Sequence, residues 1–225
     1  MAQEIPYDRQ TINTPNPFAR FSHRRRMANS VALAEKLLPE NGVILDFGAG
    51  TGVFLRAFAT ERPDATLFAV EPFMRRSSTS NVTYIESLKS LRRKVDVISA
   101  FEVCEHLDDD RLDGFLDDAY SCMDSSGRIV LSVPIMIGAF LPIKELNRAL
   151  LHRRRSEYSL NELIRGILGK TVTRAADPLC SHKGFDFRAL RKRLQTRFVI
   201  ELEAYSPLPL PWWTNSQVFF VCRKP

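Results

Sequence analysis

The chain has 225 residues, 44% of them hydrophobic and 26% charged, with a formal net charge of +6. That length and balance suit one domain with a well-filled core and exclude fibrous and disordered classes. The longest uncharged stretch, 129–143, is broken by Pro134, Gly138 and Pro142 and falls short of the roughly 20 residues of a membrane span.

The opening segment lacks the apolar run of a secretory signal. Residues 1–26 contain Pro and Asn and end in the basic "RFSHRRR"; they read as an arm. Met27, Val31, Ala34 and Leu38 recur at helical spacing. A strand is expected at 42–47, a glycine turn next, and a helix near 51–60. "TLFAVE" (66–71), "VTYI" (82–85) and "VDVISA" (95–100) read as further strands, the last apolar enough to be buried on both faces. Residues 108–123 form a helical pattern with Leu112, Phe115, Leu116, Ala119 and Met123 on one side, and "RIVLSVP" (128–134) is a fifth strand. Residues 135–181 break the rhythm as a helical insertion, read as two helices. A helix at 186–196 and strands at 198–205 and 216–222 close the pattern. Strands alternating with helices predict right-handed βαβ units and a parallel sheet in a single domain spanning 1–225. Cys104, Cys122, Cys180 and Cys222 are scattered without metal-type spacing, as reduced cytoplasmic thiols are.

The glycine turn carries the first chemical signal. In "ILDFGAGTGVFL" (44–55), Gly48, Gly50 and Gly52 alternate. A dinucleotide fingerprint places its third glycine one position later, where Val53 stands, and wants no carboxylate such as Asp46 ahead of a pyrophosphate. Asp46 suits a ligand bearing a sulfonium and an ammonium, and Glu71, ending the second strand, suits two ribose hydroxyls. S-adenosylmethionine meets these conditions better than NAD.

"VILDFGAGTGVFL", "LFAVEP", "VDVISAFEVCEHL" and "GRIVLSVP", in that order, resemble successive segments of the class I S-adenosylmethionine-dependent methyltransferases. The resemblance covers roughly residues 28–134 and, by strand order, the last two strands. It implies a Rossmann-like, seven-stranded, mostly parallel sheet with the last strand antiparallel and helices on both faces. It also implies that Gly48, Ala49, Gly50 and Gly52 line the cofactor with Pro72, Ala100 and Phe101, that Glu71 holds the ribose, and that Asp46 orients the methionine end. Where many relatives have Gly-Asp after the third strand, this chain has Glu86 and Ser87, which leaves the adenine contact unassigned.

"FEVCEHL" sets Glu102, Glu105 and His106 beyond the fourth strand. A helical turn would put them on one face. The segment resembles the E-x-x-E-H motif of ubiquinone-pathway O-methyltransferases and of small-RNA 3′-end 2′-O-methyltransferases. The resemblance implies that a later histidine, here His182 of "SHKGFDF", would join Glu102, Glu105 and His106 as ligands of magnesium, manganese or zinc. A metal lowers the pKa of the acceptor hydroxyl; a neutral His106 would serve instead as general base; and an E-H pair here can be structural alone.

The charge concentrates in the insertion. From Lys144 to Arg174 there are eight Lys or Arg and three Glu, a surplus of five out of the total of six. This reads as a solvated helical face or as a surface for anionic lipid. The ubiquinone-pathway relatives carry a similar apolar-basic insert associated with membranes, so the insertion is an acceptor lid or a membrane-facing element. Trp212 and Trp213 are expected in the turn between the last two strands, opening toward the ligand-binding face or capping the core.

The leading expectation is a cytoplasmic or membrane-peripheral methyltransferase acting on a hydroxyl of a small, glycan or lipid-linked acceptor. An RNA 2′-O-methyltransferase is the second, disfavoured because no aromatic-rich nucleic-acid module is visible. A non-catalytic S-adenosylmethionine-binding protein is the third, and an NAD-dependent oxidoreductase the weakest.

Overall fold

The computed structural model describes residues 17–225 except 73, 75–77, 80, 153–155 and 180. Its seven strands are β1 (Val43–Phe47), β2 (Thr66–Val70), β3 (Thr83–Ile85), β4 (Val95–Phe101), β5 (Met123–Pro134), β6 (Val199–Ser206) and β7 (Gln217–Arg223). They form one sheet in the order β3-β2-β1-β4-β5-β7-β6. β7 runs antiparallel to β5 and β6, and the other pairings are parallel. The strand order reverses beside β1, so β1 and β4 diverge at their carboxyl ends, where open α/β sheets bind ligands.

The helices are α1 (Pro17–Leu37), α2 (Val53–Glu61), α3 (Asp109–Cys122), α4 (Phe140–His152), α5 (Leu160–Ile167) and α6 (Phe187–Gln195). Ala34 and Leu38, from α1 and its end, pack with Phe54, Leu55 and Phe58 of α2 on one face of the sheet. Leu112, Phe115 and Leu116 of α3 join Phe187, Leu190 and Leu194 of α6 in the other core. Both faces of the central strands are therefore covered, and Ile44, Leu45, Val97 and Ile98 are fully buried.

The helix ends follow local chemistry. Asp108 caps α3 by accepting from the Arg111 N–H at 2.9 Å. Ser159 and Glu162 cap α5 reciprocally. Arg62, just after α2, donates to the carbonyls of Leu38 at 2.8 Å and Pro39 at 2.7 Å. The carboxyl ends of α1 and α2 are thus tied together, and the two helices run side by side toward the same end of the sheet.

Two expectations need correction. Residues 17–26 are the first half of α1, continuous with the helix expected from residue 27, rather than the end of an arm; residues 1–16 lie outside the described residues. The fifth strand starts at Met123, not 128, because the chain resumes pairing with β4 at Val95 across a register irregularity. Among the described residues no helix is long and apolar enough to cross a membrane.

Candidate active site at the carboxyl end of the sheet

The glycine turn links β1 to α2, and its three glycines have φ of 73°, 52° and 74°. This left-handed region is costly for any residue with a Cβ. Space adds a further requirement at Gly48. A Cβ on Gly48 would come within 2.4 Å of Val103 Cγ2, whereas one on Gly50 would meet nothing within 4 Å. Gly48 is therefore needed for packing, and Gly50 faces open space. The turn is fastened to β2, for the N–H groups of Gly48 and Ala49 donate to the Val70 carbonyl at 2.8 and 3.2 Å. The Gly50 N–H donates to the Glu71 carboxylate at 2.6 Å. Pro72 follows, exposed at the surface.

Asp46 sits under this turn, 4% exposed, accepting from Ser99 Oγ of β4 at 2.7 Å. Burial pushes its carboxyl up to about 7, with the Ser99 hydrogen bond opposing and the negative Glu71 reinforcing the rise. At the end of β4, Ala100 is fully buried. The Phe101 ring turns toward the α1–α2 face, 4.8 Å from that of Phe54.

The chain then bends sharply. Glu102 has φ of 58°, a conformation that costs a non-glycine residue roughly 1–2 kcal/mol. Its carboxylate accepts from Arg26 Nη1 at 3.1 Å, Gln217 Nε2 at 2.7 Å and Ser132 Oγ at 3.4 Å. Burial alone would raise this carboxyl, but Arg26 and the Gln217 amide hold it below the ordinary range. Glu102, expected beside the metal, is instead turned onto Arg26, and the cluster of ligand-type atoms comprises Glu105, His106 and His182.

Residues Cys104–His106 form a single 3-10 turn, tighter than the helical turn expected. It buries Glu105 completely, and neither carboxylate oxygen has a hydrogen-bond partner. Desolvation, with the charge of Glu102 adding to it, raises this carboxyl well above the usual range. His106 Nδ1 lies 3.0 Å from the Pro178 carbonyl, so it carries the proton and donates. His106 Nε2 then faces His182 Nε2 at 3.1 Å. Burial and the neighbouring His106 lower His182 to about 4, which keeps it neutral at physiological pH. One ligand atom from each of Glu105, His106 and His182 lies within 4.8 Å of the others.

The last part of the insertion is strapped across this turn. Arg174 Nη2 donates to the carbonyls of Glu105 at 3.0 Å and Leu107 at 2.9 Å. Lys144 reaches inward from α4 and donates to the carbonyls of Ile135 at 2.8 Å and Ser216 at 3.0 Å; burial lowers it to about 8. Trp212 and Trp213 lie in a short 3-10 turn before β7 and face the insertion. Trp212 packs against Gly138 and Gly169, and Trp213 Nε1 donates to the Ile167 carbonyl at 3.1 Å.

Arg26, Val103, Lys144, Arg174 and Gln217 all belong to this region and carry no sequence signal of it. Arg26 lay inside a basic run, and the other four sit in apolar or ordinary helix, loop and strand contexts. Glu86 precedes the 3-10 turn at Leu88–Ser90, and Ser87 stands at its N-cap with its hydroxyl 3.1 Å from that of Ser90.

The Asp46 shift sets a pH dependence of stability. The folded state keeps a proton that the unfolded chain releases near 3.8, so this group's contribution is complete below about pH 4 and lost as pH rises to about 7. A rise of about three units corresponds to about 4 kcal/mol. Asp46→Asn should flatten urea-derived stability between pH 4 and 7 relative to wild type; an unchanged slope would show that Asp46 ionises normally.

Residues 18–162 match the family described as "Methyltransferase domain". No curated protein is significantly similar in sequence. Among solved structures, the PH0226 protein from Pyrococcus horikoshii OT3 superposes with a TM-score of 0.59 at 16% identity, covering 98% of this chain and 97% of that one. The N-methyltransferase NodS from Bradyrhizobium japonicum WM9, in complex with S-adenosyl-L-homocysteine, gives 0.56 at 15% identity, covering 100% and 94%. The magnesium protoporphyrin IX methyltransferase ChlM from Synechocystis PCC 6803 gives 0.51 at 15%, covering 94% and 89%. These likenesses extend the shared fold over the whole sheet, and the family match spans the glycine turn, Glu71 and the β4 turn. The chain belongs to the methyltransferase domain family and is an S-adenosylmethionine-dependent methyltransferase.

Proposed function

We propose that the protein transfers the methyl group of S-adenosylmethionine to a hydroxyl of a small, glycan or lipid-linked acceptor. The observation that carries this reading is the Glu105–His106–His182 cluster, one turn beyond the residue that packs on Gly48. An amine acceptor already bears a nucleophilic lone pair once neutral, whereas a hydroxyl must shed its proton as the methyl moves. A neutral imidazole whose other nitrogen is anchored to a carbonyl suits that task.

The residues fit the cofactor. Gly50 offers open space, Glu71 is placed to exchange its bond from the Gly50 N–H for ribose hydroxyls, and Asp46 would lie near the cationic methionine end. Gly48, Ala49, Gly52, Pro72, Ala100 and Phe101 complete the expected wall. In the reaction the acceptor oxygen attacks the methyl carbon in line and the S–C bond breaks. The acceptor hydroxyl would take the place of His182 at His106 Nε2 and pass its proton to that nitrogen, and S-adenosylhomocysteine would leave. Alignment of oxygen and methyl supplies much of the rate. The Pro178 carbonyl holds the His106 ring through Nδ1, and Arg174 holds the turn beneath it.

A divalent cation is a second reading, supported by the buried Glu105 carboxyl with two unpartnered oxygens facing two histidines. Glu105, His106 and His182 would hold magnesium, manganese or zinc, and such an ion would lower the acceptor's pKa. Glu102 would stay with Arg26.

We also assign the insertion (135–181) as an acceptor lid with an interfacial face. Leu160, Ile164 and Leu168 share one side of α5 and are 75%, 50% and 65% exposed. Ile143 and Leu146 of α4 and Trp213 are exposed too. One cation of the insertion is paired within it, since Arg148 meets Glu157, while Glu162 is paired with Lys183 just beyond the insertion. Arg165 and Lys170 remain at the surface, and Arg153, Arg154 and Arg155 lie outside the described residues. An apolar stripe bordered by cations suits an anionic membrane surface, where a lipid-linked acceptor would be found.

Titration calorimetry should detect S-adenosylmethionine and not NAD. Gly50→Val should abolish binding. Glu71→Ala should weaken it by roughly 1–3 kcal/mol, the cost of ribose hydroxyls left without an acceptor. Tighter NAD binding would reverse the cofactor assignment. For the metal, chelator-treated protein titrated with manganese or zinc should bind one ion, and Glu105→Gln or His182→Ala should remove it without altering cofactor affinity. No binding would leave His106 as base. Co-sedimentation with vesicles should rise with anionic lipid, fall with salt, and be lost in Ile164→Ser/Leu168→Ser. Absence of sedimentation at low salt would leave the insertion a lid only. Acceptors are found by mass spectrometry of extracts incubated with enzyme and S-adenosylmethionine; products methylated only on nitrogen would overturn the hydroxyl assignment.

A further inference from the structure

We propose that Arg26 is a positioning residue for the cofactor-binding turn, acting through Glu102 and Val103. The inference rests on the methyltransferase reading and adds to it a residue on α1.

The chain of contacts is short. Glu102 and Asn41 are the non-glycine residues with positive φ among the described residues, and Glu102 is held at both ends. Its N–H donates to the Ser132 carbonyl at 2.9 Å, while its carboxylate accepts from Arg26, Gln217 and Ser132. The next residue, Val103, is 5% exposed, and its methyl groups fill the space that a Cβ on Gly48 would need. Glu102 thus sets where Val103 lies, and Val103 sets how closely the glycine turn approaches β4. On the other side the same bend launches the turn that carries Glu105 and His106.

Arg26 differs from the other two partners of Glu102. Ser132 and Gln217 are neutral and sit on strands β5 and β7, inside the sheet. Arg26 is the cation, and it comes from α1 across the top of that sheet. The side chains of Arg26 and Glu102 are each 17% exposed, so the carboxylate has little water to replace a lost guanidinium. His23 of α1 is lowered to about 4 by burial and by Arg26, with Glu102 opposing, and is neutral. Lys144 and His182 act on Glu102 through space without bonding it. Without Arg26 the carboxylate must take up a proton or swing outward. Either change removes a restraint on the left-handed backbone and lets Val103 withdraw from Gly48. The cofactor turn then loses its backing. α1 also borders a cavity of about 480 Å³ whose lining includes His23, Arg24 and Arg26 together with Val53 and Ala57 of α2, so this part of α1 lies against the helix that follows the turn and is not a free arm.

The test uses the full chain and S-adenosylhomocysteine as the probe. In titration calorimetry Arg26→Gln and Glu102→Gln should each weaken binding about tenfold or more, and the double variant should be no weaker than either single one, as for residues acting in one chain. Arg26→Lys, which keeps the charge, should recover to within about threefold of wild type. The ligand-free melting temperature of Arg26→Gln should stay within a few degrees of wild type, and hydrogen exchange should quicken at amides 48–52 and 102–106. Wild-type affinity in Arg26→Gln overturns the proposal, as do losses that multiply in the double variant. So does a failure of Arg26→Lys equal to that of Arg26→Gln with a matching fall in melting temperature, which would make Arg26 part of the scaffold only. Wild-type protein that does not bind S-adenosylhomocysteine overturns the methyltransferase reading itself.

Discussion

One ionised carboxylate in a left-handed bend holds this site together. Glu102 would be raised by burial, yet Arg26 and Gln217 keep it charged, and the charge in turn draws α1, β4, β5 and β7 to one point. The glycine turn and the histidine cluster lie on opposite sides of that bend. The bend places a residue that packs on Gly48 and, three positions later, a histidine facing the space beyond the sheet. A lone buried carboxylate is costly, and one satisfied by three donors is a rigid joint.

Two other carboxyls nearby follow the opposite logic. Asp46 and Glu105 are more deeply buried, and Asp46 has one hydroxyl donor while Glu105 has none. Both are pushed toward the neutral form. Acids at one end of one sheet thus shift in opposite directions, Glu102 toward the charged form and Asp46 and Glu105 toward the neutral one, because their donors differ. Two of them stand ready to ionise when a cation arrives, whether the sulfonium end of the cofactor or a metal.

The fold was legible because its signals are local. Apolar runs in β1 and β4, glycines with no tolerance for a Cβ and the spacing of Leu112, Phe115 and Leu116 each depend on a few neighbouring residues. The candidate cofactor residues were legible for the same reason. The Glu102 bend was not, since nothing in "FEVCEH" indicates that its first glutamate meets an arginine 76 positions earlier and a glutamine 115 positions later. The three consecutive arginines 24–26 look alike in sequence, and only the helical rotation of α1 selects Arg26. The meeting of His182 with His106 was expected from order in the chain alone. The contact through Nε2 and the anchoring of Nδ1 by Pro178 depend on a loop path that no periodicity records. The basic surplus of the insertion was visible as a number, but its division between internal ion pairs and the surface was not.

The position of β7 in the sheet has a consequence for how the chain reaches this state. β7 lies between β5 and β6, so β6 has no partner in the sheet until β7 has inserted. Before that step β5 presents an open edge of buried-type residues, Ile129, Val130 and Leu131, to solvent. An unpaired apolar edge is prone to pair with another chain, and pairings between residues so distant in sequence are slow to form. Gln217, a donor to Glu102, arrives with β7 itself. The strand that covers the edge of β5 is thus the one that delivers the Gln217 donor, so burial of that edge and completion of the Glu102 bend depend on the same pairing.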